Sequence, residues 1–451
     1  MELCPALDVL RNGDVRAFLS RELYHYVDRG TFDKLEMPAG CRRDEMWELL
    51  GAVRNIVGVH LLSDLSNVLD YGELWYVCTP EMSEALASAG LSGEVSHIAR
   101  VLASQPERVL GSSTFIEELR AVLRRDGVEV DRDAIADLVR GNRTPDNPVD
   151  TLLHNAIAML KRLVRCPSPA SRANVAQALG VSPVENASDA VRALRELFAL
   201  LDAGVGPYDC AGRRKLAMPL FRSACSSDTV LASVADMYLN YADKGVDPLV
   251  AYVSNADALW EYAPFPRWNG MMELLVRVAF FASIDRIGVA FGPFCNLALR
   301  WERGELPAAE APCRIEETAL KYTLGVDVTQ FYTQKVRLLA KSVRRLDAAL
   351  TAEEQRSERL REAAAFDARL NHRQRDLLAE LVENPEAEVD ARTHASRHDV
   401  SLVTARNDLQ KLVDFDYLYR RCADHTDKTT VFAACPDLPA KLARLLGDTA
   451  R

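Results

Sequence analysis

The sequence predicts a mostly α-helical chain that closes on a small β-hairpin, and three observations carry that prediction. Almost every segment with a clear hydrophobic period has the helical one of about 3.6 residues. Val336, Leu339, Val343, Leu346 and Leu350 step by 3, 4, 3 and 4, the a/d stripe of one long helix. Only near the C-terminus, at 417–421 (YLYRR) and 429–432 (TTVF), do β-favouring residues alternate around a polar turn, Asp424 to Lys428.

Residues 1–100 read as an N-terminal helical region, in which Trp47, Leu50, Val53 and Ile56 recur at helical spacing after Asp44-Glu45. Residues 101–350 read as a central helical body. It is punctuated at 141–148 (GNRTPDNP) and at 204–215 (GVGPYDCAGRRK), whose Gly, Pro and Asp density marks a loop or hairpin. The stripe from Val336 to Leu350 fits packing against that body or a dimer seam. The charged stretch 351–370 reads as a solvated connecting helix, with a boundary near 365.

Residues 371–451 form the last region, with helices expected over Arg373–Glu383, Ala391–His398 and Ser401–Val413, the last two joined by a turn at Asp399-Val400. Three helices followed by a hairpin make a winged helix-turn-helix, in which the helix after the turn enters the DNA major groove and the wing tracks phosphates. That reading puts Ser401, Thr404, Arg406, Asn407 and Gln410 on the reading surface and Arg420, Arg421 and Lys428 at the wing. Such modules also dock proteins, and both partners stay open. His394 and His398, at i and i+4, read as a surface pair with no third metal ligand in view.

Composition narrows the function classes. With 451 residues, 48% hydrophobic and 27% charged, the chain has ordinary globular composition and length for two or three domains. A formal charge of −10 excludes a global field for polyanions, so nucleic acid would need a local basic surface. The ten cysteines form no C-x-x-C pair, which disfavours a zinc module or a disulfide scaffold. Charges interrupt the N-terminal segment MELCPALDVLRNGDVRAF, and Arg277 breaks the most apolar run, 274–284. Neither an export signal nor a membrane span is expected, and the chain reads as cytoplasmic with reduced thiols.

The most informative segment runs from 247 (DPLVAYVSNADALWEY) into 263–271 (APFPRWNGM). It resembles the core of the Fic (Fido) family, whose motif H-P-F-x-[D/E]-G-N-G-R serves transfer of AMP from ATP to a protein hydroxyl. The resemblance implies a base at the histidine, a Mg²⁺ ligand at the acidic residue, an anion nest at Gly-Asn-Gly and a phosphate grip at the arginine. Those roles fall here on Ala263, Arg267, Trp268 with Asn269 and Gly270, and Met271, while Pro264, Phe265, Asn269 and Gly270 match. Alanine accepts no proton, arginine holds no Mg²⁺ and tryptophan crowds a glycine position. AMP transfer is therefore expected to be negligible.

Ser113 and Glu117 in 113–118 (STFIEE) resemble the family's inhibitory helix, placed at 110–122, but the arginine that would pair with Glu117 falls on Leu274. Segment 204–222 sits where the family has its target-docking hairpin. Asp327, Thr329 and Phe331 resemble its D-L-T-Y-F helix, and 32–50 resembles its helical leader. The resemblance implies a Fic fold with a leader and a C-terminal winged helix, acting as a pseudoenzyme that binds DNA or a partner protein, with the body as a scaffold for sensing or for homodimer formation. No cofactor is expected. ATP and Mg²⁺ enter only if the chain is an active adenylyltransferase with a relocated base, such as His154 or Asp257. A third reading is an inactive docking partner of an active Fic protein. The aromatic cluster Trp260, Tyr262, Phe265 and Trp268 reads as core packing beside a filled cleft or as a nucleobase stack.

Overall fold

Short polar side chains set most helix starts. In the computed structural model, Ser112, Asn147, Ser171, Asn186, Ser226, Asp247 and Ser401 each accept a backbone N–H of the first helical turn. Proline follows directly at Pro148 and Pro248, where its missing N–H costs nothing. The structure describes residues 11–61, 73–90, 93–166, 171–208, 226–306, 318–367, 369–385, 387–422 and 430–448. Within them the chain is mostly helical with two small sheets.

The chain divides into two units, Met1–Ala348 and Ala349–Arg451. The first begins with α1 (Gly13–Glu22), α2 (Arg29–Phe32) and α3 (Arg43–Val57), followed by β1 (Val59–Leu61) and β2 (Glu73–Tyr76). The helices α4 (Pro80–Gly90), α5 (Gly93–Ser104), α6 (Pro106–Leu110), α7 (Ser113–Arg125), α8 (Arg132–Arg140) and α9 (Pro148–Val164) come next. Then come α10 (Arg172–Leu179), α11 (Ala187–Leu201), α12 (Ser227–Asn240), α13 (Pro248–Tyr262), α14 (Asn269–Ser283), α15 (Ile287–Ala290) and α16 (Phe294–Glu302). Strands β3 (Leu320–Tyr322) and β4 (Gly325–Asp327) lead into α17 (Thr329–Phe366), which begins in the first unit and ends in the second.

Four of these strands form a sheet of order β1-β2-β4-β3, with β2 and β4 parallel and the outer pairs antiparallel. The leader helices pack on it through Phe32, Trp47, Leu50, Trp75 and Tyr322, and the Trp47 and Tyr322 rings stack at 4.8 Å. Arg54 and Asp327, each 1% exposed, pair at 2.5 Å beneath this layer. Asp327 also accepts from the Thr329 amide at 2.9 Å, capping the start of α17. Ile56, expected on the apolar face of α3, is instead 79% exposed, because it stands in the last turn beyond the packed positions. All five residues of the 336–350 stripe are buried within the single chain, so they are not the seam of a dimer.

The second unit continues with α18 (His372–Glu383), β5 (Glu388–Asp390), α19 (Ala391–His398), α20 (Leu402–Asp414), β6 (Leu418–Cys422), β7 (Thr430–Ala434) and α21 (Leu438–Asp448). Its three strands pair antiparallel in the order β5-β7-β6. Leu360, Ala363 and Ala364 of α17 join Leu377, Leu409, Phe432 and Leu442 in its core. The stretch read as a solvated connector therefore has an apolar face that its charged neighbours hide from a composition count. Lys428 and the turn from Asp424, and most of 204–222, lie outside the described residues.

A candidate anion site closed from within

The segment 263–271 is held by two left-handed residues and one asparagine. Ala263 ends α13 at φ 43° and Trp268 caps α14 at φ 63°, so Trp268 keeps the backbone that a glycine adopts freely. Between them Asn269 clamps the turn, its Oδ1 accepting from the Phe265 amide at 2.9 Å and its Nδ2 donating to the Phe265 carbonyl at 3.0 Å. Phe265 stacks on Phe198 of α11 at 5.2 Å.

Trp268 is fully buried and donates its indole N–H to Asp202 at 2.8 Å. The guanidinium of Arg267 donates to the same carboxylate at 2.7 Å and to the Gly206 carbonyl at 2.8 Å. Position 267 thus presents a cation engaged with an internal acid. The aromatic cluster is dispersed into packing: Trp268 against Tyr208, and Trp260 between Phe294 and the Arg125 guanidinium 3.9 Å away.

The first turn of α14 offers unpaired amides, the arrangement that binds anions. Asp126, the residue that ends α7, occupies it. The Gly270 amide donates to Asp126 Oδ1 at 2.9 Å and the Met271 amide to Oδ2 at 3.2 Å. A Cβ at position 270 would stand 2.6 Å from the Val122 carbonyl, so only glycine lets α7 come this close. Burial pushes the Asp126 carboxyl up to about 7, against the pull of the two amides and of Arg125.

The same helix supplies a second carboxylate to a second helix start. Glu118 is fully buried and accepts from the Cys295 amide at 2.9 Å and the Asn296 amide at 2.8 Å, at the beginning of α16. It also takes the Arg277 guanidinium of α14 at 2.7 Å. Arg277 lies 3.5 Å from Glu273, which accepts from the Tyr252 hydroxyl at 2.9 Å. Burial raises the Glu273 carboxyl, while Arg277 pulls it down. Arg125 pairs with Glu302 of α16.

Within 113–118 it is Glu118, not Glu117, that reaches an arginine of α14. Ser113 is exposed, and the cap of α7 is Ser112. Glu117 is half-buried and faces Arg132 at 3.3 Å and Arg120 at 3.9 Å, while Leu274 is fully buried. Glu118 stands one residue after Glu117 on α7, and its partner Arg277 three after Leu274 on α14. Helical spacing carried the signal: Glu118 shares a face with Phe115, Leu119 and Val122.

In the second unit, Val403, Arg406, Asn407 and Gln410 fall at i, i+3, i+4 and i+7 on α20, opposite buried Ala405, Leu409 and Leu412. Ser401 caps the helix by accepting from the Thr404 amide at 3.1 Å, and the two hydroxyls hydrogen-bond at 2.9 Å. Gln410 donates to Asp414 at 2.7 Å and accepts from Arg420, while Arg421 pairs with Glu388 at 2.6 Å. Arg406 and Asn407 are exposed and make no hydrogen bond to a described residue.

Asp408 points inward to Asn371 and Arg373 at 2.7 Å each. His394 is 2% exposed, so the histidine pair is not a surface pair: α19 packs that side onto Asp408, 3.6 Å away. Burial and His398 lower the tendency of His394 to take a proton. Among the described residues no group of three His, Cys, Asp or Glu is arranged to hold a metal ion. Cys41, Cys78, Cys166, Cys295 and Cys435 are free thiols, and no described helix is long and apolar enough to cross a membrane. His154 is exposed on α9. The side chain of Asp257 lies outside the described residues.

No protein-family model matches the sequence, and no curated protein matches it. A solved structure of a Fic family protein from Desulfovibrio desulfuricans G20 is similar to this chain, with 18% identity and a TM-score of 0.41 over 80% of this chain and 98% of that one. A likeness of that strength carries no residue role across.

Proposed function

We propose that the chain is a Fic-like pseudoenzyme whose nucleotide site is closed by its own side chains, and that it works in the cytoplasm as a regulator that binds DNA through its second unit. One observation carries the first half: the amides of Gly270 and Met271, where the motif would hold phosphate, already hold Asp126. Ala263 offers no general base, a loss of about 10²–10⁴-fold by itself. Arg267 puts a positive charge where a Mg²⁺ ligand would stand and is tied to Asp202. Calorimetric titration with ATP, with and without Mg²⁺, is expected to give no binding heat. Tight, metal-dependent binding would overturn the reading and direct attention to His154 or Asp257 as a relocated base.

The second half rests on the exposed face of α20, where Arg406 and Asn407 stand ready for base edges or phosphates. Arg406→Ala is expected to weaken retention on genomic DNA and to lower its salt dependence, because each phosphate contact contributes to that slope. Unchanged retention would remove the DNA role. Leu402 and Val403 are 41% and 66% exposed and Tyr419 is 41% exposed, which favours a second reading, docking to a protein partner such as an active Fic protein. That reading expects a hetero-complex and no salt-sensitive DNA affinity.

A further inference from the structure

Away from the closed site, α10, α11, α12 and α14 wall a cleft of about 140 Å³. Val175, Leu179, Leu194, Leu197, Val276 and Phe280 are among its apolar lining. Protein interiors keep few gaps wider than a water molecule, and side chains beside a gap forfeit dispersion contacts. The cleft opens to solvent at Arg172, and its apolar part has room for a body about the size of a six-carbon ring. The lining carries one cation, Arg172 in the first turn of α10. One nitrogen of that guanidinium donates to the Leu239 carbonyl at 3.0 Å, which steadies it against α12. It is exposed and makes no ion pair with any described residue.

We propose that this cleft binds a small monocarboxylic acid with an apolar body of about six carbons, the body between the four helices and the carboxylate on Arg172. Charge selects the head group: a fixed cation favours a carboxylate, leaves an alcohol without its ion pair and repels an ammonium. Its lining shares no residue with the closed anion site: its α14 residues, Val276 to Ser283, lie beyond the helix's first turn, and its α11 residues end at Leu197, before Phe198 and Asp202.

Hexanoate, benzoate, hexanol and hexylamine would be titrated against the full chain, with binding read by saturation-transfer NMR and by thermal shift. Hexanoate and benzoate are expected to saturate, and hexylamine to bind about two- to fivefold more weakly. Arg172→Ala should cost hexanoate about two- to fivefold in affinity while leaving hexanol unchanged. Ala279→Phe, or Ala190→Leu on the opposite wall if the first fails to fold, should abolish binding by filling the space. Absence of hexanoate binding to the unaltered chain would overturn the proposal. So would equal affinity for hexylamine, or binding that survives both the arginine loss and a folded filling variant.

Discussion

Replacing Asp126 with asparagine separates the charge of the internal plug from its shape. In the unfolded chain Asp126 ionises near 3.8, and in the fold burial raises this to about 7. Between those values the native state keeps a proton that the unfolded state has released, so stability falls as pH rises through the interval. At ~1.4 kcal/mol per pH unit the whole interval amounts to about 4 kcal/mol. Asparagine has no such dependence. Its NH₂ must face one of the two amides that the carboxylate accepts, which costs about 1–3 kcal/mol at every pH. The unaltered chain should be the more stable of the two at pH 4.5, and the gap should close or reverse by pH 7.5. Urea unfolding followed by tryptophan fluorescence measures this, because Trp47, Trp75, Trp260, Trp268 and Trp301 all precede Ala348 and report on the first unit. Glu273 and other titrating groups are common to both proteins and cancel in the difference. Parallel stability curves across this pH range would refute the assignment of a raised Asp126.

Trp268→Gly relieves a left-handed residue of about 1 kcal/mol but empties a fully buried site worth ~3–5 kcal/mol, so a net loss of about 2–4 kcal/mol is expected in the same urea assay. Arg54→Ala leaves Asp327 charged and buried without its partner, and should cost about 3–5 kcal/mol; a loss below about 1 kcal/mol would mean that water reaches the pair. Ala263→His restores a potential base without vacating the amides of Gly270 and Met271, and labelling with ATP radiolabelled at the α-phosphate should remain at background. Incorporation above that of the unaltered chain would show that Asp126 gives way to nucleotide.

Much of the architecture is legible because helices announce themselves locally. Asn371, Asp390 and Ser401 cap the helices of the second unit, and the apolar spacing behind each of them gives its length. The small sheet of the first unit is different. β2 and β4 pair in parallel across some 250 residues of chain (Glu73 with Gly325), and three-residue strands are too short to show a period. Within the site, Asn269 and Gly270 are readable from the motif. Asp126 is not, since it meets Gly270 from 144 residues away and nothing near Arg125-Asp126-Gly127 distinguishes a carboxylate that plugs an anion site from one that ends a surface helix. Arg277 is a middle case. It reads as a flaw in an apolar run, and the flaw is the signal: an arginine in such company requires buried acids, which Glu118 and Glu273 provide.

The carboxylate on Gly270 and Met271 is a ligand attached to its own receptor. A soluble anion must compete with it at the effective concentration that the tether sets, already millimolar for a short flexible linker and higher when the linker is a packed helix such as α7. Any such anion therefore confronts an occupant that dilution never removes. Closure of this kind is a matter of competition, and any change that loosens α7 from α14 lowers the local concentration of the competitor.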